Sequence, residues 1–461
     1  MGQEYMRLFF EPETVALIGA SGNKLKPGYN LFYNLNYSFG ENFYAIHPSQ
    51  AEIEGKKCYK SILEVPGKID LAIIFISAQL VPSALRQCAE KGIKAVIIES
   101  AGFSEVGEEG ERLTQECLKI ASETGIRLWG PNCMGLLNVS KMKIMSFMNP
   151  GMWKERLISG KVSLVVQSGM LSAGFLMHIL TRTPFGLSKV CSIGNKIDID
   201  ETELLDYFIT DPETEVIAMY LESIKQGRRF FELAKSTEKP IVILKGGRTE
   251  FGIQSAKSHT SALAQDDKVL DSAFRQAGVI RVLGMNELLD VARCLSVSPH
   301  KVLSKARIAV LTFSGGAGVV TSDDLYEQGM EIAKLKPETL DRLQKVFPEW
   351  MAPSNPVDLY PAMEKQGPLK AFGDALSAVL DDEGVDAVFL HIFAPPIEIP
   401  IYNFDAMGEM MKRHNKPIVS WVMGHGTTAL KFTQELEKRG IAVVDEISKG
   451  VRILSALLMR K

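Results

Sequence analysis

The stretch Val15-Ala16-Leu17-Ile18-Gly19-Ala20-Ser21-Gly22 decides the fold. It is a continuous apolar run that passes directly into a turn rich in glycine and small residues. Such a run, without polar alternation, is typical of a strand buried on both faces, as in a parallel sheet covered by helices. Glycines at the end of the strand permit a tight turn into a helix, whose first backbone amides can approach an anion. The simpler interpretation is that they only permit the turn.

The same order of apolar run, turn and helix recurs along the chain. We expect further buried strands at residues 44–46, 71–76, 95–98, 162–166, 216–221, 241–244, 308–312, 387–390 and 418–421. Turn-forming residues around 149–160 and 296–305 separate these strands into three sets. The sequence therefore predicts an α/β fold of three consecutive Rossmann-like or flavodoxin-like parallel-sheet domains, at residues 1–150, 151–300 and 301–461.

Composition excludes several classes of protein. The 461 residues are 46% hydrophobic and 23% charged with a formal net charge of −3, so no basic surface for nucleic acid is expected. No apolar run reaches the roughly 18 to 20 residues that a membrane span needs, and the start lacks a signal-peptide pattern. The six cysteines form no CxxC pair, which argues against zinc and disulfides. We therefore expect a cytoplasmic protein without a bound metal and without nucleic-acid or membrane partners.

Two further turns that follow strands carry residues suited to an anion. Gln167-Ser168-Gly169 comes after the strand at 162–166 and opens an apolar helix, so Ser168 is either an anion contact or a simple N-cap. A nucleophile elbow is excluded because Gly-x-Ser-x-Gly would need glycine where Val166 stands. Gly194-Asn195 occupies a similar turn, which is either part of a site or an ordinary polar turn.

One histidine lies in surroundings suited to phosphoryl transfer. His259 stands among small residues in Lys257-Ser258-His259-Thr260-Ser261-Ala262-Leu263-Ala264, which would leave room for a phosphoryl group. Glu222 follows the strand at 216–221, where open α/β sheets present catalytic groups, and a carboxylate there could orient an imidazole. The alternatives are a surface loop before a helix near Asp267 and an exposed glutamate.

Together these motifs resemble the α subunit of ADP-forming acyl-CoA (acetyl-CoA) synthetases, in the succinyl-CoA synthetase superfamily. The resemblance covers nearly the whole chain and rests on the order of its motifs rather than on any single one. The motifs lie at 15–22, 98–105, 130–135, 167–169, 194–198, 220–222, 258–260, 314–316 and 355–359.

The resemblance implies a reversible reaction of acyl-CoA, ADP and phosphate to free acid, CoA and ATP, through acyl phosphate and phosphohistidine intermediates. It assigns His259 as the phosphoryl carrier and Glu222 as the residue that orients it. Phosphate binding is assigned to Gln167, Ser168, Gly169, Gly194 and Asn195. CoA binding is assigned to Gly19, Ala20, Ser21, Gly22, Lys26, Pro48, Ser100, Asn132 and Cys133.

The resemblance also implies a partner. The family binds ADP or ATP and Mg²⁺ in an ATP-grasp unit, for which the third domain is too short, so we expect a separate ATP-grasp β subunit in an α2β2-type assembly. CoA and a small organic acid are the other expected ligands. The family usually has glycine where this chain has Ser261 and Gln265, and often lysine near Ser49-Gln50. A catalytically impaired CoA-binding or regulatory subunit is therefore one alternative. A nicotinamide-dependent dehydrogenase is a weaker one, because no acidic residue stands where a ribose would be held.

Overall fold

A computed structural model describes residues 4–154, 156–182, 184–259, 266–297, 307–396 and 401–458. Three sheets, each dominated by parallel strands, alternate with helices along this part of the chain, which confirms the predicted α/β class. The chain divides into two units, Met1–Leu289 with two of the sheets and Asp290–Lys461 with the third.

The first sheet contains the strand with which the sequence analysis began. Its strands are β1 (Val15–Ile18), β2 (Phe43–Ile46), β3 (Glu52–Ile53), β4 (Lys56–Tyr59), β5 (Leu71–Ile74), β6 (Ala95–Ile98) and β7 (Arg127–Trp129). They lie in the order β3-β4-β2-β1-β5-β6-β7, and β3 and β4 pair in antiparallel fashion at one edge. Because β2 lies on one side of β1 and β5 on the other, the strand order reverses between β1 and β5. Ligands of open α/β sheets bind beyond the carboxyl ends of the strands at such a point.

Four α-helices accompany this sheet, and their ends follow local rules. They are α1 (Glu4–Phe10), α2 (Pro27–Phe39), α3 (Val81–Glu90) and α4 (Glu108–Thr124). Proline stands in the first turn of α2, where its missing N–H costs nothing. Three glutamates in the first turn of α4 complement the helix dipole, and Gly125 ends the helix in the left-handed conformation. Short 3₁₀ turns occupy Gly40–Asn42, Ile62–Glu64, Ala78–Leu80 and Ser104–Val106.

The second sheet has a parallel body and an antiparallel edge. Its strands are β8 (Leu136–Asn138), β9 (Lys143–Met145), β10 (Ser159–Val166), β11 (Leu187–Ser192), β12 (Val216–Leu221), β13 (Ile241–Lys245) and β14 (Ile280–Val282). They lie in the order β14-β13-β12-β10-β11-β8-β9, with β8 antiparallel to both β11 and β9. The order reverses between β10 and β12, so the turns after these two strands meet at the second switch point.

The described residues between 150 and 297 form seven helices. They are α5 (Pro150–Trp153), α6 (Gly169–Thr181), α7 (Glu201–Thr210), α8 (Gly227–Ser236), α9 (Glu250–His259), α10 (Asp267–Gln276) and α11 (Met285–Val297). Two features differ from the sequence analysis. The antiparallel strands β8 and β9 of the second sheet come before residue 150, where the domain boundary was drawn. Residues 257–259, for which a surface loop was the alternative interpretation, form the last turn of α9.

The second unit holds the third sheet. Its strands are β15 (Arg307–Thr312), β16 (Glu331–Ile332), β17 (Val357–Asp358), β18 (Ala387–Ala394), β19 (Ile418–Gly424) and β20 (Ala442–Val444). They lie in the order β16-β15-β18-β19-β20, with β17 also pairing with β15, and the described pairs are all parallel. Its helices are α12 (Gly315–Glu327), α13 (Pro337–Val346), α14 (Tyr360–Gln366), α15 (Pro368–Asp381), α16 (Phe404–His414), α17 (Gly426–Glu437) and α18 (Ile447–Leu458).

Central strands supply the cores. All four residues of β1, β5 and β6 are buried, as the unbroken apolar runs predict. Each Val, Leu or Ile side chain buried in this way stabilises the fold by about 1.5 to 3 kcal/mol relative to exposure. Among the helices within the described ranges, none combines the length and the apolar character needed to cross a bilayer.

Candidate active site

A cavity of about 610 Å³ lies within the first unit, where the carboxyl ends of strands from both of its sheets come together. The first sheet contributes the turns after β5, β6 and β7, and the second sheet contributes those after β10 and β11. Lining residues are Phe75, Ile76, Ser77, Glu99, Ser100, Ala101, Asn132, Cys133, Met134, Phe147, Gln167, Ser168, Gly169, Met170, Gly194 and Asn195. The cavity therefore unites the predicted phosphate-binding residues with three of those predicted to bind CoA.

Gln167 connects the two turns at the second switch point. Its backbone N–H donates to the carbonyl of Tyr220 at 3.0 Å. Its side-chain oxygen accepts hydrogen bonds from the backbone amides of Glu222 at 2.9 Å and Ser223 at 3.2 Å. The side chain is buried, so these bonds hold the turn after β12 firmly against the turn after β10. Gln167 is thus a structural brace that places Glu222 beside the start of α6.

Ser168 stands immediately before α6 but does not cap it. Its backbone is extended and its side chain makes no capping hydrogen bond, so the N-cap alternative of the sequence analysis does not account for its hydroxyl. Ser168, Gly169 and Met170 all line the cavity, which means that the N-terminus of α6 faces it. Unpaired amides and the helix dipole at such an end favour an anion.

The Gly194-Asn195 turn packs against the loop that follows β7. The backbone amide of Asn195 donates to the carbonyl of Pro131 at 2.9 Å, and the side-chain amide of Asn132 donates to Asn195 Oδ1 at 3.4 Å. Gly194 has a φ of +52°, and a Cβ there would lie 2.1 Å from the carbonyl oxygen of Pro131, so glycine is required. This contact fixes Asn132 and Asn195 side by side on the cavity wall.

Cys133 and Ser100 line the cavity, and their side-chain thiol and hydroxyl already form hydrogen bonds with the backbone. The Cys133 thiol donates to the carbonyl of Ile98 at 3.4 Å, and burial raises its pKa well above the usual range. It is therefore a neutral thiol rather than a thiolate nucleophile. The Ser100 hydroxyl accepts from the backbone amide of Ile76 at 3.0 Å and donates to the carbonyl of Ile74 at 3.4 Å. Both residues shape the wall.

Glu222 lies just after β12 with most of its surface buried. The phenol of Tyr220 donates to Glu222 Oε1 at 3.3 Å, and burial, followed by the charge of Glu222, raises the pKa of Tyr220 to about 12. The ammonium of Lys245 donates to the carbonyls of Glu222 at 2.7 Å and Gly246 at 2.5 Å. Burial lowers the pKa of Lys245 to about 8. The structure thus holds Glu222 from three directions, contrary to the alternative of an exposed surface glutamate.

His259 is the last residue of α9, and its side chain lies outside the described part of the structure. Thr260 to Gln265, which include the two departures from the family pattern, are also outside the described ranges. The pairing of His259 with Glu222 therefore stays a prediction.

The turn after β1 uses part of its hydrogen-bonding capacity internally. The backbone amides of Gly19 and Ala20 donate to the carbonyl of Ile46 at 3.3 and 3.4 Å, so these two amides are not free for a phosphate. The methyl group of Ala20 is buried, and the hydroxyl of Ser21 accepts from the amide of Asn23 at 3.2 Å. A ligand would therefore meet this turn mainly at Ser21 and Gly22.

Lys26 and Pro48 are exposed on loops near this turn. Lys26 directly precedes α2. Pro48 belongs to the same loop as Gln50, and a Cβ on Gly22 would lie 3.6 Å from Gln50 Oε1, so the two loops are neighbours. The nearby Lys24 pairs with Glu54 at 3.2 Å.

Several cavity residues escaped the sequence analysis, and Glu99 is the most informative of them. It directly follows β6, so the argument that selected Glu222 after β12 could also have found it. No comparable pattern in the sequence predicted that the aromatic residues Phe75 and Phe147 would line the cavity. Across the described residues, no group of three or more His, Cys, Asp or Glu side chains is arranged to hold a metal ion.

Comparison with known proteins agrees with this geometry. Residues 13–138 match a family described as a CoA binding domain, and residues 159–295 match the succinyl-CoA ligase like flavodoxin domain. The ADP-forming acetate–CoA ligase II of Archaeoglobus fulgidus is 38% identical over 97% of this chain, which spans 66% of that protein's length. The α subunit of the ADP-forming acetate–CoA ligase II of Pyrococcus furiosus is 35% identical over 94% of this chain and 93% of its own length.

A solved structure of a synthetase is also similar to this chain. Acetyl-coenzyme A synthetase 1 of Candidatus Korarchaeum cryptofilum, in complex with phosphate and ADP, superimposes with a TM-score of 0.87 and 30% sequence identity. The superposition covers 100% of this chain and 97% of that one. The chain therefore belongs to the family of ADP-forming acyl-CoA synthetases, which are acid–thiol ligases of the succinyl-CoA synthetase superfamily.

Proposed function

We propose that this chain is the α subunit of an ADP-forming acyl-CoA synthetase that interconverts acyl-CoA, ADP and phosphate with free acid, CoA and ATP. The observation that carries the proposal is the cavity between the carboxyl ends of the two sheets of the first unit. It brings the start of α6 and the Gly194-Asn195 turn to the same space as Asn132 and Cys133. Phosphate and thioester would meet there, as the first chemical step requires.

The first step joins phosphate to the acyl group. Phosphate would lie at the N-terminus of α6, against the Ser168 hydroxyl and the Gly194-Asn195 turn. Its oxygen attacks the thioester carbon, the C–S bond breaks, and CoA leaves as the thiolate with an acyl phosphate remaining. Because the donors are fixed by Gln167 and by the Gly194–Pro131 contact, they need no rearrangement when charge develops.

The second step uses His259. A neutral imidazole nitrogen attacks phosphorus, the bond from phosphorus to the acyl oxygen breaks, and the carboxylate leaves. Glu222 would accept a hydrogen bond from the other ring nitrogen and stabilise the charged phosphoimidazole. The phosphoryl group then passes to ADP, which regenerates the imidazole. Positioning and charge stabilisation would supply most of the rate acceleration, as in other phosphoryl transfers.

CoA would lie along the first sheet. Ser21 and Gly22 would approach its phosphates, with Lys26 and the loop at Pro48 nearby. The pantetheine arm would reach the cavity past Asn132 and Cys133. We also propose that residues 1–150, 151–300 and 301–461 act as the CoA-binding, phosphohistidine and ligase-type domains, respectively, with β8 and β9 of the first range completing the sheet of the second.

ADP and Mg²⁺ would bind mainly to a separate ATP-grasp β subunit. The relative from Pyrococcus furiosus is named an α subunit, and the match covers almost the full length of both chains. This supports a partner subunit for the present chain. His259, at the end of α9, would carry the phosphoryl group between the two subunits, in an α2β2-type assembly.

Reconstitution tests the proposal. The full chain is mixed with the ATP-grasp protein of its source organism, and acyl-CoA formation from acid, CoA and ATP is followed by chromatography. We expect product only when both proteins and all three substrates are present, with one ADP formed per acyl-CoA. CoA binding without turnover for any acid would instead support the regulatory subunit.

A further inference from the structure

Glu99 has an unusual position in the cavity. It directly follows β6, is only 3% exposed, and lines the cavity between the two sheets. Neither of its carboxyl oxygens has a partner of good hydrogen-bond geometry in the described part of the chain, although the backbone amide of Phe147 is close enough to favour the charged form slightly. Among the described cavity-lining residues, Glu99 alone combines such burial with unpaired side-chain oxygens.

Leaving a buried polar group unpaired costs about 1 to 3 kcal/mol, so native proteins rarely do so without a functional reason. Burial raises the pKa of Glu99 well above its usual range, and the opposing effect of the Phe147 backbone amide is smaller. Burial therefore favours the neutral form of the carboxyl group. It then offers one O–H donor and one carbonyl acceptor.

Part of the wall of the cavity that Glu99 lines is apolar. Phe75 and Phe147 line the cavity with their ring centroids 5.4 Å apart, and Ile76, Met134 and Met170 add hydrocarbon. The nearby Cys133 thiol already donates to a backbone carbonyl. Glu99 thus adds a polar group with free bonding capacity to a cavity whose apolar part suits the carbon chain of an acid.

The backbone makes room for this carboxyl group. Gly135 has a φ of +69°, and a Cβ there would lie 2.3 Å from Glu99 Oε1 and 2.1 Å from the carbonyl oxygen of Met145. Any larger residue at Gly135 would displace the carboxyl group. The position of Glu99 is therefore built into the fold and does not result from a loosely placed side chain.

We propose that Glu99 is a specificity-determining residue that hydrogen-bonds a hydroxyl group on the carbon chain of the organic acid, an inference that rests on the proposed function. The chain would thus favour hydroxyl-bearing carboxylic acids over unsubstituted acids of the same length. A hydroxyl also carries one donor and at least one acceptor, so it matches both free positions of the carboxyl group. An unsubstituted chain leaves both positions unpaired, and sites that bind a substrate hydroxyl discriminate strongly against analogues that lack it.

Measuring how tightly acyl-CoA ligands bind to the full chain tests the role of Glu99 without a partner subunit. Calorimetry compares 4-hydroxybutyryl-CoA with pentanoyl-CoA, and 3-(4-hydroxyphenyl)propionyl-CoA with 3-(4-methylphenyl)propionyl-CoA. In each pair a methyl group replaces the hydroxyl at nearly constant size. We expect the hydroxylated member of at least one pair to bind about tenfold more tightly. Glu99→Leu should bring that ratio below threefold, and Glu99→Gln should keep it because a carboxamide also offers a donor and an acceptor.

The outcomes separate this inference from the proposed function. Free CoA is the reference ligand, and it should bind the wild type, Glu99→Leu and Glu99→Gln equally. A ratio below threefold in both pairs for the wild type would overturn the role of Glu99 while leaving the proposed function intact. An equal loss for both members of a pair in Glu99→Leu would do the same, because it would indicate contact with the shared thioester. A folded chain that binds neither CoA nor any acyl-CoA would contradict both proposals.

Discussion

The side-chain oxygen of Gln167 accepts a hydrogen bond from the backbone amide of Glu222 at 2.9 Å. This bond joins the turns after the two strands between which the order of the second sheet reverses. In the proposed mechanism, the Gln167 side chain would thereby bring a phosphate at the start of α6 close to the carboxylate after β12. Accuracy of this kind matters, because small displacements of positioned groups reduce rates strongly.

Replacing Gln167 by leucine should therefore impair both stability and chemistry. The buried amides of Glu222 and Ser223 lose their acceptor, which we expect to cost about 1 to 3 kcal/mol of unfolding free energy. Phosphorylation of the chain by ATP and the partner should slow by at least about tenfold. Urea unfolding and the initial rate of label incorporation measure the two effects.

Asn138→Leu is the matched control for this prediction. Asn138 is another buried amide of the second sheet, and its side chain donates to the carbonyl of Phe10 at 3.0 Å, away from the lining residues of the cavity. It should lose comparable stability but keep the phosphorylation rate. Equal rate losses in both variants would show that Gln167 acts only through general stability.

Ser168→Ala should affect phosphate binding without affecting the fold. Since the hydroxyl makes no capping bond to α6, we expect its loss to change the unfolding free energy by less than about 0.5 kcal/mol. The KM for phosphate in the ATP-forming direction should rise roughly tenfold, because a hydrogen bond to a charged ligand is lost. Thr181→Ala, which removes a hydroxyl bonded to the carbonyl of Met177 within the same helix and away from the cavity-lining residues, is the control. An unchanged KM would remove Ser168 from the phosphate site.

Lys245 should give stability a distinctive pH dependence. Its folded-state pKa of about 8 lies below the ordinary 10.5, so the unfolded chain binds this proton more tightly than the folded chain does. The resulting penalty is present below pH 8 and disappears as the pH rises from about 8 through 10.5. Between pH 8 and pH 10, the unfolding free energy of the wild type should therefore rise by on the order of 1 to 3 kcal/mol relative to that of Lys245→Met.

Measuring the unfolding free energies of the two proteins at both pH values isolates this contribution. Titrations elsewhere in the chain affect both proteins alike and cancel in the difference. A stability difference that does not change with pH, or that changes in the opposite direction, would contradict a depressed pKa at Lys245.

The central strands could be predicted because each of them, such as Val15–Ile18, is a short apolar run that ends at a turn. The short length, the β-branched residues and the flanking glycines distinguish such a run from a buried helix. The edge of the second sheet left no such trace. Strands β8 and β9 are three residues each, and although they pair with each other, only the pairing of β8 with the distant β11 attaches them to the second sheet.

The candidate site was foreseeable to a similar degree. Ser168 and Asn195 could be chosen because they follow strands, and the cavity indeed has them on its wall. The engagement of Ser100 and of the Gly19 amide by neighbouring backbone could not be foreseen, since it depends on how strands from distant parts of the chain pair. Glu99 was overlooked because nothing in the sequence shows that its carboxyl group lacks a partner.

The account depends most on His259 as the temporary carrier of a phosphoryl group. The most direct test incubates the full chain and its ATP-grasp partner with [γ-³²P]ATP and examines the labelled protein. We predict label on this chain that is labile in acid, stable in base and discharged by acid plus CoA. It should map to His259 by mass spectrometry, be absent from His259→Ala, and be strongly reduced in Glu222→Gln. Label that persists in His259→Ala, or acyl-CoA formation by that variant at the wild-type rate, would contradict the account.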